Sequence, residues 1–128
     1  AQDAAGADTE RHAPLWRLSV PAATGPIDLP GTQLVEWGGA LRWYRPSAEA
    51  IAALSGTAPA APQTAAQALR ERIAALGGTA TLFRADEAHA DVLRFHPLAP
   101  VNLQIHQRLK QAFDPRGLIN HGRMYPGL

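Results

Sequence analysis

A chain of 128 residues, 46% of them hydrophobic, is long enough for one domain with a packed core. Its formal charge of +1 gives no electrostatic case for a nucleic-acid or acidic-membrane partner. The absence of cysteine excludes disulfides, a thiolate nucleophile and a cysteine-ligated iron–sulfur cluster, and is compatible with a cytoplasmic chain.

Residues 1–13 are small and polar and lack the basic and apolar regions of a signal peptide, so they read as a flexible lead-in. The chain opens on Ala rather than Met, as a piece cut from something longer would. Residues 14–128 then read as a single α+β domain. Residues 15–20 form a predicted strand stopped by Pro21. Residues 24–31 are a loop carrying Pro26 and Pro30. Residues 33–37 and 40–45 read as a hairpin across Gly38-Gly39, a dipeptide suited to the primed turns. That register sets Leu34 and Glu36 on one face with Leu41 and Trp43. Val35 and Trp37 share the other face with Ala40, Arg42 and Tyr44. Both faces are partly apolar, which predicts cover on each side of the sheet.

A short helix over residues 47–54 and an Ala/Pro/Gly-rich linker over 55–62 come next. Thr64 with Gln67 fits a capping box, and Ala66, Leu69, Ile73 and Leu76 form an apolar stripe with Arg70, Glu71 and Arg72 turned away. Gly77-Gly78 ends this helix. Residues 79–84 are a strand, and 85–91 a polar loop. Pro100 opens a second helix with Val101, Ile105, Leu109 and Ala112 inward, closed by Asp114-Pro115. The order β–β–β–α–β–α, with adjacent hairpin strands, predicts an antiparallel sheet with helices packed on it. A ferredoxin-like arrangement, incomplete for want of its first helix, fits best.

No metal site is expected. The five histidines (His12, His89, His96, His106 and His121) include no pair one helical turn apart, and Asp86, Glu87, His89 and Asp91 read as a solvated loop. No serine sits in a nucleophile-elbow setting. Arg17 stands mid-strand beside Trp16. It is either an edge or snorkelling side chain or an anion clamp, since a guanidinium fork matches a carboxylate. For Arg42, beside Trp37 and Tyr44, a stacked cation–π structural role stands level with a functional one.

The last sixteen residues, FDPRGLINHGRMYPGL, alternate turn formers with apolar and aromatic side chains, which predicts an ordered, docked tail. Asn120 can bring an amide, and Arg123 a charge, against a ring or a phosphate. Alternatively the tail only pins the domain, with Asn120 in a left-handed turn.

This segment resembles the closing pattern F-D-P-x-G-x-x-N-P-G-[KR] of FAD-linked oxidases of the vanillyl-alcohol oxidase and p-cresol methylhydroxylase superfamily. Phe113, Asp114, Pro115, Gly117, Asn120, Gly122 and Arg123 match, and His121 replaces the usual proline. LWRLSVP from Leu15, EWGGALRW from Glu36, TLFR from Thr81 and FHPLAP from Phe95 occur in the order seen in the C-terminal part of the E subunits of bacterial glycolate oxidases. The resemblance implies a C-terminal cap domain lining the flavin and substrate pocket of a 2-hydroxy-acid (glycolate) oxidase. FAD is then held mostly by an N-terminal domain absent from this chain, so the chain alone is expected to be inactive.

The same resemblance implies partners: flavoprotein and iron–sulfur subunits of the complex, through which a cytoplasmic chain meets the inner membrane. It places Asn120 and Arg123 by the cofactor. Related dehydrogenases carry a substrate-carboxylate arginine shortly after a strand tryptophan. Read as W-x-x-R, that pattern puts Ser19 at the arginine's place here and leaves Arg17 as the substrate-binding candidate. The alternative is a subunit-interaction module with no catalytic role, anchored by Trp16, Trp37 and Trp43.

Overall fold

The structure, a computed structural model, describes residues 13–47, 50 and 62–128. All but the last residue of the expected lead-in, and almost all of the expected short helix and linker, lie outside the described residues. The chain divides into two compact units, one ending at Arg94 and one beginning at Phe95.

The first unit is built on a four-stranded antiparallel sheet of order β2-β3-β1-β4. Its strands are β1 (Leu15–Ser19), β2 (Gly31–Glu36), β3 (Leu41–Pro46) and β4 (Thr79–Arg84). One helix, α1 (Pro62–Ala75), links β3 to β4. β3 and β4 flank β1 and both run against it, so β3–α1–β4 is a split βαβ unit. β1 and β2 flank β3 in the same way, but residues 20–30 join them without a helix. This is the ferredoxin-like arrangement lacking its first helix, as expected.

The loop over residues 20–30 does part of a helix's work. It sends Val20, Ile27 and Leu29 into the core beside Trp16, Leu18, Tyr44 and Ile73. Polar side chains of the sheet hold its main chain. Tyr44 Oη donates to the Pro30 carbonyl at 2.9 Å, Arg42 Nη2 to that of Thr24 at 2.6 Å, and Gln33 Nε2 to that of Ile27 at 2.9 Å. Arg42 is therefore structural, but by clamping carbonyls in a buried setting rather than by stacking.

The hairpin has the predicted register, with Leu34 opposite Trp43 and Val35 opposite Arg42. Gly38 (φ 60, ψ 26) and Gly39 (φ 97) supply the two positive φ values of a primed turn, closed by Ala40 N–H donating to the Trp37 carbonyl at 3.2 Å. Pairing stops at Glu36 because Trp37 itself turns left-handed, at φ 50.

In α1 Ala66, Leu69 and Ile73 of the predicted stripe are buried, whereas Leu76 lies just past the helix end and is exposed; the helix starts at Pro62, two residues before Thr64, so no capping box forms there. Arg70 does not face away. It is buried, donates through Nη2 to the Leu93 carbonyl, and lies 5.4 Å above the Trp16 ring. The helix ends in a Schellman motif. Gly78 N–H reaches the Ile73 carbonyl at 2.9 Å, and Gly77 N–H that of Ala74 at 2.8 Å, with Gly77 at φ 75. A Cβ on Gly78 would sit 2.4 Å from the Ser19 carbonyl oxygen, so the residue also lets helix and sheet approach closely. Among the described residues of this unit, α1 and its neighbours cover one face of the sheet. The predicted cover on the other face is not found among the described residues of this unit.

The second unit holds α2 (Pro100–Phe113), with Pro at its first turn, and the C-terminal turns. Its stripe of Val101, Ile105 and Leu109 forms at helical spacing but is not inward: 67%, 49% and 50% of each residue is exposed, and no α2 residue is buried. Among the described residues no helix is long and apolar enough to cross a membrane.

Candidate functional site

The uncovered sheet face is where the chemistry-bearing side chains of the first unit gather. Side chains alternate along strands, so the residues opposite the core set Trp16, Leu18, Tyr44, Ala80 and Leu82 project together. One cross-strand row runs Leu34, Trp43, Arg17, Thr81 across all four strands. Beside it lies a groove of about 500 Å³ lined by Leu15, Thr32, Leu34, Trp43, Arg45 and Phe83. Trp43 and Phe83 meet edge to face, centroids 5.0 Å apart at 78°. The indole Nε1–H donates to Glu36 Oε2 at 2.9 Å, which fixes the ring.

Arg17 therefore sits exposed in a row of tryptophan, leucine and threonine. It takes neither of the roles that bury an arginine here, unlike Arg42 and Arg70. Arg45, two residues beyond Trp43 on the same face, keeps its Nε buried without a hydrogen-bond partner among the described residues. Arg45 escaped the sequence reading. The signal was available in the period-two spacing of Trp43 and Arg45 and the pairing of Trp43 with Arg17.

The second unit is organised by Asp114, which the sequence marked as a helix stop and as part of the closing pattern. Its Oδ1 accepts from Leu118 N–H at 2.9 Å. Its Oδ2 accepts from Ile119 N–H at 2.9 Å and from Lys110 Nζ at 2.7 Å. Lys110 also donates to the Ile119 carbonyl. The hydrogen bond from Lys110, then those from Ile119 and Leu118, hold the Asp114 carboxyl down at about 2. Gly117, at φ 62, lets the chain double back. The Asp-Pro-x-Gly part of the tail is thus a fastening. Tyr125 extends it, donating from Oη to the His96 carbonyl at 3.1 Å and packing at 5.8 Å against Phe95.

Asn120 stands at φ 49, left-handed, and its carbonyl accepts from Arg123 N–H at 3.2 Å. The Asn120 and Arg123 side chains are both exposed within one turn. The structure brings these two together; Arg17 belongs to the other unit.

His89 is not solvated as expected. It is buried, with its backbone N–H and Nδ1 on Asp86 Oδ1 at 2.8 and 2.5 Å, capping the turn Glu87–His89. Among the described residues no group of three or more His, Asp or Glu is placed to hold a metal ion. Trp16 is 3% exposed and cannot anchor a partner, whereas Trp37 is 81% exposed.

No protein-family model and no solved structure matches the chain. Over 115 residues, 89% of its length, it is 40% identical to glycolate oxidase subunit GlcE of Escherichia coli K12. The chain is homologous to part of a glycolate oxidase E subunit. It spans about a quarter of that relative, 27% of its length. The resemblance read from the ordered motifs is borne out, and the chain is similar to a subunit of an oxidase that acts on glycolate.

Proposed function

We propose that this chain is the cap portion of a glycolate oxidase E subunit, with its uncovered sheet face turned toward flavin and substrate. The observation that carries the reading is that face itself: an apolar floor crossed by Arg17, whose guanidinium makes no hydrogen bond among the described residues. A guanidinium there presents two parallel donors to a carboxylate, and excluding water around Trp43 strengthens the pairing.

The residues of this face suit the flat side of a ring. The described residues contain no glycine-rich strand-to-helix loop to cradle a pyrophosphate, which fits FAD being gripped by another part of the subunit. FAD, when bound, supplies the acceptor for the hydride leaving C2 of the hydroxy acid. Arg17 fixes the acid by its carboxylate, and Trp43 walls off solvent. In the tail, Asn120 offers an amide and Arg123 a cation to the cofactor or an anion, held in place by the Asp114 fastening. Flavoprotein and iron–sulfur subunits of the complex are the partners that would take the electrons onward on this reading.

The test uses the full E subunit carrying this segment, following flavin content and bleaching by glycolate. Arg17→Gln is expected to keep flavin and slow bleaching at low glycolate. Asn120→Ala with Arg123→Ala is expected to lose bleaching or loosen flavin. If both variants keep flavin and bleach like wild type, the reading fails. A second reading, a subunit-contact surface, is favoured by Trp37, a bulky residue held left-handed and exposed at the hairpin tip. Loss of complex assembly in Trp37→Ala with intact bleaching would select it.

A further inference from the structure

The sheet has two edges, and the described backbone of the chain covers only one of them. At β4, the Leu82 N–H is taken by the Arg94 carbonyl at 2.7 Å. At β2, no backbone group pairs on the outer side among the described residues. β2 is also the one strand of the four with no buried residue. It carries none of the usual guards of an edge: no lysine, no proline and no bulge against β3. Two bonds show which of its backbone groups point outward. Ser47 N–H donates to the Pro30 carbonyl at 3.4 Å, one step beyond the Gly31–Pro46 pair. Val20 N–H donates to the Ala40 carbonyl at 2.9 Å, one step beyond the Ser19–Leu41 pair. In an antiparallel ladder successive residues bond to opposite sides. Thr32, Leu34 and Glu36 therefore bond to β3, and Gly31, Gln33 and Val35 turn their N–H and C=O groups away from it.

We infer that this edge pairs with the same edge of a second copy of the chain, antiparallel, with Gln33 opposite Gln33 at a two-fold axis. A bond between two edges needs an outward position on each side. Setting Gln33 against itself puts Gly31 opposite Val35 and Val35 opposite Gly31, so every outward position of β2 meets another. A shift by two residues in either direction leaves Gly31 or Val35 beyond the end of the facing strand. The side chains agree with this register. Gly31 has no side chain to obstruct the Val35 that lies across from it. Leu34 meets Thr32 of the copy on the open face, covering part of a leucine that is otherwise 58% exposed. Charge selects the antiparallel sense. Glu36 is the one charged residue of β2. In this pairing the two Glu36 carboxylates lie at opposite ends, roughly 20 Å apart along the strands at the usual rise. A parallel pair would set like charges side by side. A foreign strand has to supply this match, whereas β2 is its own complement, as a two-fold interface requires. The pairing extends the sheet in its own plane and leaves the open face clear, so the inference does not rest on the function proposed for that face.

The experiment takes the full E subunit carrying this segment and measures its mass by sedimentation over a dilution series. The wild type is expected to dimerise as concentration rises. Val35→Pro removes an N–H that points away from β3, so it costs the monomer no ladder bond and should weaken the dimer about tenfold or more. Val35→Thr keeps that N–H and should dimerise like the wild type. Disulfide capture reads the register. The segment contains no cysteine, and capture is scored against the unsubstituted subunit. Thr32 and Leu34 of the copy form a non-hydrogen-bonded pair with Cα atoms about 4.5 Å apart, within disulfide reach. A mixture of Thr32→Cys and Leu34→Cys subunits should therefore crosslink. Neither variant should crosslink alone, because like positions lie two residues out of register, beyond the limit of about 7 Å. A wild type that stays monomeric at every concentration would overturn the inference. So would a dimer undiminished in a folded Val35→Pro, or crosslinking as strong within one cysteine variant as in the mixture. If Val35→Pro does not fold, the cysteine mixture decides alone.

Discussion

The two units of this chain are held together by different physics. The unit ending at Arg94 buries a continuous cluster in which Leu18, Tyr44, Ile73 and Ala80 are fully enclosed. The unit from Phe95 buries no apolar side chain of its helix and depends on one carboxylate that organises Lys110, Leu118 and Ile119. Each unit pairs its candidate residues with its own kind of support. Arg17 and Arg45 ride on a sheet fixed by burial. Asn120 and Arg123 ride on turns fixed by hydrogen bonds, and should respond to pH and to local opening before the sheet does.

The largest expected effect is in the core. Ile73→Ala should cost about 2–5 kcal/mol by denaturant unfolding, since a fully buried β-branched side chain leaves a cavity. Tyr44→Phe should cost about 1 kcal/mol by leaving the Pro30 carbonyl without its donor. Tyr44 also makes the sheet unit alkali-sensitive. Burial, only partly offset by Arg72, pushes its phenol up to about 12 from the usual 10. A raised folded value means the contribution is whole below pH about 10 and is lost as pH climbs toward 12. Alkaline unfolding should therefore be shallower in Tyr44→Phe.

Asp114 gives the opposite sign. A carboxyl held at about 2, below its usual 3.8, contributes stability that is whole above pH about 4 and lost as pH falls toward 2. Hydrogen exchange at Leu118 and Ile119 should accelerate over that window, and do so at neutral pH in Asp114→Ala, with the sheet amides unchanged. The smallest effect is expected from Ile105→Ala in this chain, within about 0.5 kcal/mol, because its side chain is half exposed already. A cost near that of Ile73→Ala would erase the contrast between the units.

Much of the sheet was legible because period-two alternation and Gly-Gly punctuation are local signals. Strand β4, the hairpin register and the Gly77-Gly78 stop came directly from them. Four features did not: buried Arg70, buried His89, the starting point of α1, and the exposed stripe of α2. Arg70 depends on a partner distant in sequence, the Leu93 carbonyl, and the α2 stripe on what lies against a helix, and periodicity reports a face without reporting its cover. The motif likeness supplied the family. It marked Asp114 and Asn120 alike, and only the geometry separates the fastening from the exposed amide. The groove at Arg45 was missed because it is assembled from all four strands of the sheet.

The central claim, that the uncovered sheet face looks onto the flavin, is tested most directly by Trp43 emission in the full E subunit with and without FAD. A tryptophan beside the isoalloxazine is quenched, so removing FAD should restore emission in the wild type, and the recovery should largely vanish in Trp43→Phe but persist in Trp37→Phe. Recovery that is absent in the wild type, or unchanged in Trp43→Phe, would place the flavin elsewhere and contradict the account.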